Sequence, residues 1–332
     1  MLIKHLLPKC SSLLGSQGKN YAPLWRYTVR RYGRTDSSGS DDSLASEEKW
    51  HQEQLTCRAE TDHPHSPIDI DTSKVVPREY LPLKFSLYDF AGVRMVLQNN
   101  GTVLKIDIGN GEPHVTGGGM IELYRANHVH FHWGSDSTRG SEHTIDGQHF
   151  PMEMHIVHFN RKYPNIVDAS KKAVGLSVLA FMFEISNKPN EALKPITFMV
   201  NEVKQPYTWV PIELPNLMSI LPQNLSTFYH YTDDNKRFAH PTISWTIFKD
   251  TIKISESQIA SFRRLNSQEM DPKTKKLKPM VDNNRPTNSS INPRVFTDEN
   301  DPRRRRFDDS PDTKKKRKSL SEKMFKGLKI KK

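Results

Sequence analysis

The sequence predicts one mainly β domain with a few short helices, and three observations carry that expectation. Val103, Lys105 and Asp107 alternate with Leu104, Ile106 and Ile108, the two-residue period of a strand. Turn signals recur at short intervals, in Asn99-Asn100-Gly101, Gly109-Asn110-Gly111, Gly117-Gly118-Gly119 and Asp146-Gly147. The apolar run from Val174 to Phe183 has the length of a buried central strand.

The elements follow in chain order. Residues 1–48 form a basic, then Ser/Asp-rich segment that is expected to be disordered. Residues 1–35 hold seven Lys or Arg and no acid, and Asp36 to Ser43 reads as a linker. An acid-free start has some likeness to a mitochondrial transit segment, although Pro8 and Gly15 interrupt any helix. Residues 49–297 form the folded domain, roughly 245 residues, enough to bury a substantial core. Within it, Val103–Ile108, Asn127–Trp133, Glu153–His158, Val174–Phe183 and Trp245–Phe248 read as strands. Glu256 to Leu265 has helical spacing, with Ser255 capping ahead of Gln258. Residues 298–332 form a basic disordered tail, with Arg303 to Arg306 and Lys314 to Lys318. Such a tail is suited to nuclear import or to contact with acidic partners.

This division decides what the net charge of +11 means. The last 31 residues carry fourteen bases against four acids, so the two ends hold all the excess and the middle is left at −6. A protein that reads nucleic acid with its folded surface would keep the bases on the domain. No apolar run approaches the length of a transmembrane helix. Two cysteines, Cys10 and Cys57, are too few for a disulfide scaffold or a four-cysteine zinc module.

The chemistry is concentrated in Asn127-His128-Val129-His130-Phe131-His132-Trp133. On a strand, His128, His130 and His132 point one way and Val129, Phe131 and Trp133 the other. Two imidazoles two residues apart can address one metal ion, and a third must come from a neighbouring strand. Glu153-Met154-His155-Ile156-Val157-His158 is the obvious donor, with Glu153, His155 and Val157 on one face. Three neutral imidazoles suit Zn²⁺ and leave its fourth position open to water, which then ionises near neutral pH. Glu153 and His128 each stand two residues from a candidate ligand, where a group supporting the imidazole belongs. Glu142 is placed to orient a hydrogen-bond network. Ordinary core histidines are the alternative, and three aligned histidines beside a second E-x-H strand weigh against it.

At these residues the chain resembles the α-class carbonic anhydrases. The matching segments are Ser66-Pro67-Ile68-Asp69-Ile70, His130-Phe131-His132-Trp133-Gly134, Gly140-Ser141-Glu142-His143-Thr144-Ile145-Asp146, Glu153 to Asn160, and Met280-Val281-Asp282-Asn283-Asn284-Arg285-Pro286. The resemblance implies a large, mostly antiparallel twisted sheet with zinc in a cone-shaped cleft. It also implies reversible hydration of CO₂ to bicarbonate by zinc-bound hydroxide. By matching position, His130, His132 and His155 would hold zinc, and Glu153 and Asn283 would support them. Glu142 would gate the hydroxide, and Val157, Val178 and Trp245 would line an apolar CO₂ pocket.

Three departures bear on activity. His128 stands where the family usually has Gln; its imidazole can still hydrogen-bond to His130, or compete with it for metal. Thr102 follows Asn100-Gly101 where fast members carry a proton-shuttling His, and Thr cannot titrate near neutral pH. The segment Asp233 to Pro241 lacks the family's Thr that relays the hydroxide proton to the gate. These departures leave a second reading, a weakly active or inactive relative acting as a binding module. Cys57 matches a cysteine that pairs in secreted relatives, and its usual partner is missing here. The expectation is therefore an intracellular, cytoplasmic monomer, with mitochondrial and nuclear alternatives set by the two ends.

Overall fold

The computed structural model describes residues 30–31, 66–233, 243–289, 293–298 and 300–301. The expectations placed on the N-terminal segment, Cys10, Cys57, residues 234–241 and the C-terminal tail lie outside the described residues.

Seven strands position the histidines: β1 (Met95–Asn99), β2 (Leu104–Ile108), β3 (Met120–Trp133), β4 (Met152–Asn160), β5 (Leu176–Ser186), β6 (Phe228–Asp233) and β7 (Ile243–Ser255). They belong to a 13-stranded sheet and run side by side in the order β1, β2, β3, β4, β5, β7, β6. Neighbours are antiparallel except β5 and β7, which pair in parallel. Both faces of β5 are covered, and its first eight residues are all buried. A near-continuous apolar run is what a strand buried on both faces requires.

Alternation along β3 sorts its side chains. Val129, Phe131 and Trp133 enter the larger core, together with Ile259 and Phe262 of the helix Glu256–Phe262. The histidines face the other way. Cross-strand register then lays out the histidine face in rows, since directly paired residues share a face. One row runs Asp107, His128, Val157, Val178, Trp245 across β2, β3, β4, β5 and β7. The next runs Lys105, His130, His155, Ala180, Ile247, and beyond it His132 pairs with Glu153. The β1–β2 side of this face is polar. There Lys105, 1% exposed, pairs with Asp107 at 2.6 Å, and Gln98 donates to the same carboxylate. The β5–β7 side is apolar, with Val157, Val178 and Trp245 in one buried cluster. The histidines stand on the border between the two.

Two boundaries differ from the sequence reading. Val174 adopts a left-handed backbone (φ 45°), so β5 begins at Leu176 and runs on to Ser186. The intervening Gly175 is required, because a Cβ there would lie 1.7 Å from the Ala169 carbonyl oxygen. The helix starts as expected, with both halves of the Ser255–Gln258 capping box formed, and ends at Phe262, three residues before Leu265.

Candidate metal centre

The β3–β4 register places His130 directly opposite His155, and His132 opposite Glu153. The rings of His130, His132 and His155 form a triangle with every centroid pair 5.0 Å apart. One nitrogen from each ring lies within 4.8 Å of the other two.

The hydrogen bonds decide which nitrogens face inward. His132 Nδ1 lies 3.0 Å from the Asn283 carbonyl oxygen, which can only accept, so Nδ1 carries the proton. His132 Nε2 is then a lone pair, and it is buried without a hydrogen-bond partner. His155 Nε2 donates to Glu153 Oε1 at 2.7 Å, leaving Nδ1 as the lone pair. His155 Nδ1 and His130 Nε2 are 3.2 Å apart. A tetrahedral ion with bonds of about 2.0–2.1 Å holds two nitrogens about 3.3–3.4 Å apart. Burial disfavours charge on two of the rings: it pushes His130 well below its ordinary value, and His132 down to about 4. Converging nitrogens on the buried His132 and His155 and the half-buried His130 suit a cation, since a buried acceptor with no partner is otherwise costly.

Glu153 is the hub of the support. Its Oε1 accepts from His155 Nε2 and His143 Nδ1, each at 2.7 Å. Its Oε2 accepts from the backbone N–H groups of Glu142 and His143, each at 2.8 Å. Burial alone would raise this carboxyl, but the charges and hydrogen bonds of His143 and His155 outweigh it and hold the group below the usual carboxylate range. His143 Nε2 in turn meets the Tyr231 hydroxyl at 2.8 Å. His143, Glu153 and His155 also lie close enough to share an ion, but their polar atoms already bond one another.

Asn283 supports the site twice. Its carbonyl fixes His132, and its side-chain Oδ1 accepts from Trp133 N at 2.8 Å, pinning the end of β3. Glu142 is fully buried and clasped by Arg285, whose Nε and Nη2 donate at 2.9 and 2.7 Å and whose backbone N–H donates at 3.0 Å. Burial opposes ionisation of Glu142, but the Arg285 guanidinium and its hydrogen bonds hold the carboxyl well below its ordinary value. Trp245 stands edge-on to both His155 and His143, with centroids 5.1 and 4.8 Å away.

His128 takes a local partner. Its ring lies 5.2 Å from that of His130, but His130 Nδ1 has no hydrogen-bond partner. His128 Nδ1 is instead 2.7 Å from the Asn127 side-chain oxygen, which satisfies that nitrogen locally.

Sequence reasoning singled out neither His143, Tyr231 nor Arg285 for a role. His143 carried a usable signal, being next to Glu142 in a matching segment. Tyr231 and Arg285 reach their partners over 88 and 143 residues, which no local pattern encodes.

Comparison with known proteins identifies relatives. The family model for eukaryotic-type carbonic anhydrase matches residues 45–299. Carbonic anhydrase 4 of Rattus norvegicus is 32% identical over 235 residues, covering 70% of this chain and 74% of its own. Carbonic anhydrase 1 of Mus musculus is 31% identical over 224 residues, covering 67% and 84%. Carbonic anhydrase 12 of Homo sapiens is 33% identical over 199 residues, covering 58% and 55%. The matches correct the intracellular, cytoplasmic expectation. Carbonic anhydrases 4, 12 and 15 are among them, and these are membrane-anchored or extracellular forms. The missing partner for Cys57 was too slight a ground for a compartment. Among the described residues no helix is long and apolar enough to cross a membrane.

Proposed function

Because the chain belongs to the eukaryotic-type carbonic anhydrases, we propose that it is a zinc enzyme hydrating CO₂ reversibly to bicarbonate and a proton. The observation that carries this reading is the convergence of three imidazole nitrogens, with His132 and His155 buried and each fixed from behind by a hydrogen bond. His130 and His132 through Nε2, and His155 through Nδ1, would hold the ion. A zinc ion held there would supply Lewis acidity.

The chain's own residues supply the rest. Glu153 holds the His155 proton on Nε2, so that Nδ1 stays available. Asn283 does the same for Nδ1 of His132, freeing Nε2. Val157, Val178 and Trp245 form an apolar wall beside the rings, where an uncharged gas can sit without displacing hydrogen-bonded water. Lys105 and Asp107 lie on the opposite, polar side, suited to water and to the anionic product. Glu142, kept ionised by Arg285 and 3.5 Å from His132 Nδ1, can only accept a hydrogen bond. It therefore favours a donor hydroxyl on its cleft side.

The test is exchange of ¹⁸O between labelled CO₂ and water, followed by mass spectrometry on zinc-loaded and chelator-stripped protein. Exchange that depends on zinc is expected. Equal exchange in both samples overturns the reading and favours a binding module.

A further inference from the structure

We propose that Asn224 is an acceptor for an N-linked oligosaccharide. Asn224-Leu225-Ser226 has the N-x-S pattern with x other than Pro, which serves as an acceptor in surface loops of secreted chains. With a cytoplasmic location withdrawn, the pattern acquires a use.

The structure places the pattern in a turn between the short helix Met218–Ile220 and β6. Ser226 is exposed and Asn224 half-buried. The Ser226 hydroxyl donates to Asn224 Oδ1 at 2.7 Å, and Ser226 N donates to the same oxygen at 3.1 Å. The acceptor nitrogen, Nδ2, makes one long contact, 3.4 Å to Thr227 Oγ1. Glycosylation replaces one of the two Nδ2 hydrogens. Oδ1 keeps both of its donors in the product. Leu225 packs against the larger core, the one that takes Val129 and Phe131. That core lies on the sheet face opposite the histidines, so the sugar leaves from the back of the domain, clear of the metal centre.

Two further patterns of this kind, Asn100-Gly101-Thr102 and Asn288-Ser289-Ser290, begin closer to the chemistry, and Ser290 of the second lies outside the described residues. Asn100-Gly101-Thr102 is a tight turn in which Asn100 Oδ1 holds three donors. The Thr102 carbonyl there accepts from the side chain of Asn283. Asn288 lies three residues beyond Arg285, and its backbone N–H is bound to the Pro67 carbonyl. Asn224 combines an exposed sequon serine, a lightly engaged amide and distance from the site.

The donor required is a lipid-pyrophosphate-linked oligosaccharide. Nδ2 forms a bond to the sugar C1 as the C1–oxygen bond to pyrophosphate breaks. The lipid pyrophosphate leaves with the electron pair, and Nδ2 gives up one proton.

The full chain is expressed in a eukaryotic host behind a cleavable secretory leader, which guarantees exposure to the donor. Peptides are analysed by mass spectrometry before and after enzymatic deglycosylation in H₂¹⁸O. The peptide spanning Asn224 is expected to carry a hexose and N-acetylhexosamine mass and to become ¹⁸O-labelled Asp on release. Asn224→Gln and Ser226→Ala lose it, Ser226→Thr retains it, and CO₂ hydration stays within twofold in all three. An unmodified Asn224 peptide, or a sugar mass that persists in Ser226→Ala, overturns the proposal.

Discussion

Glu153→Gln puts the heaviest demand on the geometry. The carboxylate accepts four hydrogen bonds at 2.7–2.8 Å and is fully buried. Glutamine keeps one acceptor oxygen and replaces the other with a donor. If its oxygen takes the two backbone N–H groups, its NH₂ faces the protons on His155 Nε2 and His143 Nδ1. The clash is relieved when His155 moves its proton to Nδ1, the nitrogen 3.2 Å from His130 Nε2. That proton closes one of the three lone pairs. Loss of such outer support weakens metal binding by about 10–100-fold, equivalent to about 1.4–2.7 kcal/mol. The metal-free protein also suffers, since each buried donor left unpaired costs about 1–3 kcal/mol. The assay is zinc competition against a chromophoric chelator at pH 7, paired with thermal melts of the metal-free forms. A zinc Kd within twofold of the parent would refute the role given to Glu153.

Three further outcomes are expected. Arg285→Ala strips the buried Glu142 of its counter-charge while leaving the backbone donor, at a cost of about 2–4 kcal/mol after allowing for the water that reaches Arg285. Differential scanning calorimetry should show Tm lower by roughly 5–15 °C, and an unchanged Tm counts against the pair. Val157→Phe fills the apolar wall and should reduce CO₂ hydration at least about tenfold with zinc content unchanged, so an unaltered rate would remove Val157 from the substrate path. Acidification should unfold the domain through His158 and His230, which burial holds at about 4 against an ordinary 6.5. Between those values the unfolded chain binds more protons, so stability rises with pH and is lost towards pH 4, each group contributing up to about 1.4 kcal/mol per pH unit. Urea midpoints at pH 7 and pH 5 measure this, and equal midpoints would contradict it.

What was legible in the sequence was what repeats locally. The period of two put His130 and His132 on one face, and the same period in Glu153–Val157 aligned His155 with its support. The Ser255–Gln258 cap lies within four residues and was read correctly. The alternating E-x-H segment already marked β4 as the neighbour of β3. The row of Val157, Val178 and Trp245 depends on cross-strand register, and it was supplied by family resemblance. The grip of Arg285 on Glu142 and the Tyr231–His143 contact close loops of 143 and 88 residues, and nothing near either end announces the other. His128 is the opposite case: spacing allowed a bond to His130, but a nearer acceptor, Asn127, meets its Nδ1.

The central claim, that three converging imidazoles hold a zinc ion at which CO₂ is hydrated, is tested most directly by one measurement. Stopped-flow CO₂ hydration is run on the full chain and on its His130→Ala/His132→Ala double variant, with zinc per chain quantified in the same samples. The expected result is about one zinc per chain and a rate well above background for the parent, with both lost in the double variant. A zinc-loaded parent no faster than the double variant would contradict the claim.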